Sequence, residues 1–231
     1  MPKVKHPMAR QKRTSEYRWP AQRATWPTLG LESKSFQSAI KLIGLSMPVR
    51  KNAEIYGQNE SADYIYKVLS GTVRSYTILD DGRRQISAFH FPGDIFGLEI
   101  GDAHTFSAEA VVDSKILLIK RSSLIEIAAR DNRIARELWS LTAAELHRVQ
   151  EHAVVFIMSA QERVVSFLLQ IAKRGGTASK AELLMSRADI ADYLGLTIET
   201  VSRTLKQLEK SAAIKLPTFH HVVLRDCVAP S

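Results

Sequence analysis

The chain holds a single cysteine, Cys227, among its 231 residues. One thiol cannot close an internal disulfide, so a reducing compartment, the cytoplasm, is expected. Nor can it ligate an iron–sulfur cluster, and the seven histidines are scattered except for the His220–His221 pair. No metal and no cofactor is therefore expected. Long apolar runs are also missing: nothing approaches the ~20 residues of a membrane span, and the opening MPKVKHPMARQKR lacks the apolar stretch of a secretory signal. No membrane partner is expected. There is no nucleophile elbow, no phosphate loop and no convergent acid/base set, which argues against an enzyme.

What the chain does have is positive charge, unevenly placed. The formal net charge is +8. Residues 1–28 carry seven Lys and Arg against one Glu, 29–159 carry fifteen basic against sixteen acidic groups, and 160–231 carry ten against seven. Basic ends around a neutral middle point to a polyanionic partner, nucleic acid before membrane, because the basic tail contains no amphipathic helix. Taken alone, the tail also reads as a soluble, flexible extension.

Four regions follow from the pattern: a basic tail (1–28), a β-roll (29–121), a long helix (122–158) and a C-terminal winged helix-turn-helix (159–231). The segment 35–45 reads as a short amphipathic helix. From about residue 49 to 120 come short β-type runs (YIYKVLSG, TVRSYTIL, QISAFHF, SKILLIK), with Asp81-Gly82 as a hairpin turn. Strands at this spacing indicate a small barrel or double-sheet roll. In the long helix, Ala135, Trp139, Thr142, Leu146, Val149, Ala153 and Phe156 recur as a heptad seam, flanked by Ile134, Leu138 and Leu141. One strip can cover the roll while the other meets a second copy of the chain. Alternatively, both form one broad face buried within a single chain.

The segment 186–208, SRADIADYLGLTIETVSRTLKQL, carries the chemistry. Ser186 and Asp189 form a capping box for a helix whose inward side is Ile190, Ala191 and Leu194. Gly195 ends that helix, and Thr197 caps a second one with Glu199 in its first turn. Val201, Leu205 and Leu208 face the first helix, whereas Glu199, Ser202, Arg203 and Lys206 share the outer face. The geometry is a helix-turn-helix whose second helix suits a DNA major groove. Arg203 has the fork to bind guanine bidentately, Glu199 can accept from cytosine or adenine, and Ser202 is short enough to let the helix approach. Ser186, Arg187, Thr197, Thr200 and Lys206 are candidate phosphate contacts. Beyond it, AIKLPTFHHVVLRD reads as a two-stranded wing with Lys215, His220 and His221 facing the DNA backbone.

The run RADIADYLGLTIETVSRTLKQLE resembles the helix-turn-helix of the CRP/FNR superfamily of transcription regulators, nearest its FNR/FixK branch. The resemblance extends back through the heptad helix and PGDIFGLE (92–99), covering about 35–228. It implies an α+β fold: an N-terminal β-roll of the cyclic-nucleotide-binding type, a long dimerising helix with Trp139, Thr142, Leu146, Val149, Ala153 and Phe156 at its interface, and a C-terminal winged helix. It further implies a homodimer with double-stranded DNA and RNA polymerase as partners. Glu199, Ser202 and Arg203 would read TTGA half-sites of an inverted repeat, TTGA-N6-TCAA, at genes of low-oxygen respiration or nitrogen fixation. A departure is Ala213, where a glycine often precedes the wing.

Cyclic-nucleotide members of the superfamily hold phosphate with an Arg-Ser or Arg-Thr pair after the PGDIFGLE-type turn. Here His104-Thr105 stands in that place, with Glu99, Asp102 and Glu109 around it. Acidic groups repel a phosphodiester. His104 reads as a partly exposed loop residue and His90 as a strand residue rather than a haem ligand. By elimination, regulation without a bound effector is expected. The alternative is a small-ligand-binding module that signals to a protein partner.

Overall fold

The computed structural model describes residues 34–176, 179–218 and 220–225. The basic segment 1–28 and Cys227 lie outside them. Helix α1 (Lys34–Ile43) leads into β1 (Gly44–Val49), followed by β2 (Glu54–Tyr56), β3 (Tyr64–Ser70), β4 (Val73–Ile78), β5 (Arg84–His90), β6 (Ile95–Phe96), β7 (Ser107–Ala110) and β8 (Ser114–Lys120). They form two four-stranded sheets, ordered β1-β8-β3-β6 and β2-β7-β4-β5, with antiparallel pairing throughout. The helix ends two residues before the boundary expected from its apolar spacing. Gly44 there lies against Ile40 and β8: a Cβ on it would stand 2.6 Å from both the Ile40 carbonyl oxygen and the Leu117 side chain.

Strands β3 and β8 are apolar on both faces because both faces are covered. Tyr66, Val68 and Ile116 point into the roll, against Tyr56, Val73, Ala108 and Ala110 of the opposite sheet. Ile65, Leu117 and Ile119 point outward, against Phe36 and Ile40 of α1 and against Leu124, Ile134 and Leu141 of the helices that follow. Phe36 and Ile40, one helical turn apart, are fully buried. Each contributes about 1.5–3 kcal/mol through area removed from water.

The segment 122–158 is not one helix. It divides into α2 (Arg121–Arg130) and α3 (Asn132–Val155). Asp131 makes the break: in extended conformation, its carboxylate accepts from the Arg133 N–H at 2.9 Å and caps α3. The apolar periodicity continues across the break, so spacing alone did not reveal it. After a turn at 156–158, Ser159 and Glu162 form a capping box that starts α4 (Ala160–Arg174). Then come β9 (Lys180–Glu182), α5 (Arg187–Leu194), α6 (Ile198–Lys210), β10 (Ile214–Lys215) and β11 (His221–Leu224). The wing is three-stranded, β10-β11-β9, rather than two-stranded.

The roll and the C-terminal region share a core. Ile86, Phe89 and Val111 of the roll sit in one cluster with Phe167 and Leu168 of α4, Tyr193 of α5 and Val201 and Leu205 of α6. No helix among the described residues is long and apolar enough to cross a membrane.

Candidate nucleic-acid interface

Helix α5 opens on the expected capping box. The Ser186 hydroxyl accepts from the Asp189 N–H at 3.1 Å and donates to Asp189 Oδ2 at 2.8 Å, while the Ser186 N–H donates to the same oxygen at 3.0 Å. The helix ends at Gly195, whose φ of +62° suits a residue without a side chain. A Cβ on Gly195 would also stand 3.1 Å from the Phe156 ring. Thr197 then caps α6: its hydroxyl oxygen accepts from the Thr200 N–H at 3.2 Å and lies 3.0 Å from the Thr200 hydroxyl.

Along α6 the two faces separate cleanly. Val201, Thr204, Leu205 and Leu208 are buried. Glu199, Arg203 and Lys206 are exposed and Ser202 is half-buried, and all four border a single open depression with Gln207 and Lys210. The Glu199 carboxyl is held below its ordinary range by its own backbone N–H and by the Thr197 hydroxyl. It is thus a charged acceptor at neutral pH. The structure brings these four outer-face residues together as their spacing implies.

The backbone candidates are less uniform. Lys206 is exposed, and Thr197 lies exposed at the N-terminus of α6 with Thr200 half-buried behind it. Ser186 is exposed, but its hydroxyl is engaged by Asp189. Arg187 is half-buried. In the wing Lys215 is exposed, while His220 Nδ1 lies 2.8 Å from the Leu183 carbonyl and His221 Nδ1 lies 2.9 Å from the Thr218 hydroxyl. The tight backbone before the wing falls at Ala212, with φ of +61°, one residue before Ala213.

On α3, Trp139, Thr142, Leu146, Val149 and Ala153 are all exposed in the single chain, as is Phe156 at its C-terminal cap. The exposure reaches 77% for Trp139 and 58% for Leu146. The flanking strip is the one turned inward: Ile134 and Leu141 are buried, and Leu138 packs beside them.

A cavity of about 380 Å³ opens between the roll and α3, bordered by Tyr56, Ser75, His90, Thr105, Arg148 and His152, among others. His104 lies in the loop before β7, as its sequence position suggested, but it is not partly exposed. It is buried, stacked on Tyr56 with ring centroids 3.6 Å apart, and burial pushes its pKa down. Both donors of Thr105 go to Glu99: the N–H at 3.0 Å and the hydroxyl at 2.7 Å. Glu109 is not part of an uncompensated acidic group, because it is paired with Arg74 at 2.7 Å. His90 stands on β5, 2.8 Å from the Ser75 hydroxyl, with burial pulling its pKa down to about 3.

Two contacts that bear on the site carried no local sequence signal. The Arg163 guanidinium donates to the carbonyls of Phe156 at 2.6 Å and Met158 at 3.0 Å, and to that of Leu194 at 2.9 Å, tying the end of α3 to the turn of the helix-turn-helix. On the far end of α5, Asp189 Oδ1 accepts from Arg74 at 2.9 Å and from Arg84 at 2.6 Å, both on roll strands.

The chain matches two known families. The cyclic nucleotide-binding domain family covers residues 47–131, and the Crp-like helix-turn-helix domain family covers residues 162–229. It is 47% identical over 201 residues to the nitrogen fixation regulation protein FixK of Azorhizobium caulinodans, covering 84% of this chain and 81% of that protein. It is 41% identical to the protein of the same name from Rhizobium meliloti, over 78% of this chain and 81% of that one. The solved structure of FixK2 from Bradyrhizobium japonicum superimposes with a TM-score of 0.77 at 47% identity, covering 80% of this chain and 94% of that one.

Proposed function

The chain belongs to the CRP/FNR superfamily of transcription regulators, in its FNR/FixK branch, and from that premise we propose that it binds TTGA-N6-TCAA-type inverted repeats as a homodimer without a bound effector. It is a helix-turn-helix regulator and not an enzyme. The observation that carries the finer reading is the outer face of α6, where Glu199, Ser202, Arg203 and Lys206 lie together and open while everything behind them is packed. Arg203 then takes guanine O6 and N7, Glu199 accepts from an exocyclic amine, and Lys206 and the exposed N-terminus of α6 meet phosphate.

The exposed seam of α3 supports a dimer, since apolar side chains recurring at heptad spacing on one helix find cover against a second copy. Two-fold symmetry then sets the recognition helices about 34 Å apart, the separation of half-sites one DNA turn apart. Control of nitrogen-fixation genes accords with the names of the FixK relatives, and activation through RNA polymerase and a low-oxygen role belong to the same proposal.

Effector-free action is supported by the place where a cyclic nucleotide's phosphate would sit: Thr105 spends both donors on Glu99, a carboxylate that repels an anion. The cavity beside α3 favours a second reading, in which a small ligand gates the protein. Fluorescence anisotropy of the purified protein, without added ligand, separates the two. It would use the TTGA-N6-TCAA duplex, its G→A counterpart in both arms and a salt series. Tight binding lost on the G→A duplex supports effector-free readout through Arg203. Equal, salt-sensitive binding to both would leave only phosphate contact and favour the gated reading.

A further inference from the structure

Helix α5 is fixed from outside at both ends. At its C-terminus Arg163 of α4 holds the Leu194 carbonyl. At its N-terminus one carboxylate serves two structures: Asp189 Oδ2 completes the capping box, and Oδ1 receives Arg74 of β4 and Arg84 of β5. The chain of charges continues both ways. Arg74 pairs with Glu109, its register partner on β7, at 2.7 Å. Arg84 reaches Asp192, one turn along α5, at 2.8 Å. The Arg74 and Asp189 side chains are only 8% and 5% exposed.

Charge-assisted bonds of this kind are short and directional, and they lie on adjacent strands of one sheet. They set where the start of α5 sits and, by gripping Asp189 and Asp192 one turn apart, the rotation of the helix about its axis. Because α6 packs on α5, that also sets the direction of α6. An autoinhibitory contact would cover the reading face. Here the network grips α5 and leaves Glu199, Arg203 and Lys206 open.

We propose that the Glu109–Arg74–Asp189–Arg84–Asp192 junction aims the recognition helix, with Arg74 and Arg84 as positioning residues for DNA recognition. The roll thereby holds the helix-turn-helix in its binding orientation through its own side chains rather than through a ligand, an inference that rests on the effector-free reading above. Random duplex requires only charge at the surface, whereas an inverted repeat requires both recognition helices to be aimed correctly.

The test compares the full chain with Arg84→Gln and Arg84→Lys, leaving the more deeply buried Arg74 in place to preserve folding. Anisotropy is read on the inverted repeat and on a scrambled duplex across a salt series. Hydrogen exchange is followed in 187–208 and in strands β3 and β8. Arg84→Gln should bind the repeat about tenfold more weakly, with scrambled-duplex affinity and salt slope unchanged. Exchange should quicken in 187–208 but not in β3 or β8, and Arg84→Lys should recover most of the binding. A gain in specific affinity would mean that the junction restrains rather than aims, and unchanged exchange in 187–208 would mean that it does not hold α5 at all. Equal loss on both duplexes with a shallower salt slope would place Arg84 on phosphate instead. Should the unmodified chain show no preference for the repeat, the TTGA reading fails, and the exchange comparison by itself decides the junction.

Discussion

The imidazole of His152 on α3 lies flat against the ring of Tyr193 on α5, with centroids 4.2 Å apart and planes 22° from parallel. The contact joins the helix that bears the exposed seam to the first helix of the helix-turn-helix. It also buries a titratable group: burial, aided by the nearby Arg148 guanidinium, draws the His152 pKa down to about 4.

Acid should therefore weaken the fold in a defined window. His152 and His90 have folded pKa values of about 4 and about 3, below the value of about 6.5 for an unfolded histidine. The unfolded chain binds the extra protons, so stability is complete above pH ~6.5 and falls as pH drops towards the folded values, by up to about 1.4 kcal/mol per pH unit for each histidine. Urea unfolding between pH 6.5 and 5 measures this slope. His152→Phe, which keeps a flat ring on Tyr193, should flatten it. Identical slopes in the two proteins would show that His152 is charged in the fold.

Base reading and phosphate contact should respond differently to mutation. Arg203→Ala should remove about 1–3 kcal/mol of discrimination between the TTGA duplex and its G→A counterpart. Lys206→Ala should weaken both duplexes alike and lower the salt slope by about one. Anisotropy over a salt series reads both, and equal losses on the two duplexes for Arg203→Ala would remove it from base recognition.

Leu146 is 58% exposed at the middle of the α3 seam, so a charge there does not disturb the packing of one chain. Leu146→Asp should give a monomer by sedimentation equilibrium, with an unaltered far-ultraviolet spectrum and affinity for the inverted repeat reduced to that of a half-site. A dimer that persists would move the interface elsewhere.

Two substitutions at positive φ should act in opposite directions. Gly195→Ala puts a Cβ in left-handed backbone, 3.1 Å from the Phe156 ring, and should cost at least about 1–2 kcal/mol in urea unfolding. Ala212 already has φ of +61°, so Ala212→Gly should be neutral or stabilising, by up to about 1 kcal/mol once glycine's greater freedom in the unfolded chain is subtracted.

The helix-turn-helix was legible because its signals are local. Ser186 with Asp189, Gly195 and Thr197 act within three or four residues of themselves, and the structure realises each. The roll was legible as a class from strand spacing and from Asp81-Gly82, which lies in the turn between β4 and β5. Other features were not. Strand β9 is only three residues long and exists by pairing with β11. The Asp131 cap lies inside a run whose periodicity continues on both sides. The burial of the loop residue His104 was not legible because the ring that covers it, Tyr56, comes from a distant strand.

Residue spacing alone sets which side chains share a face of α6 and α3, since a helix repeats every 3.6 residues whatever surrounds it. Which α3 strip turns inward and which cations meet Asp189 depend instead on how the elements pack. Arg74 and Arg84 reach that carboxylate from strands more than a hundred residues away. A charged side chain announces that it needs a partner when buried, but its partner is chosen by packing, which brings together residues that the chain order keeps apart.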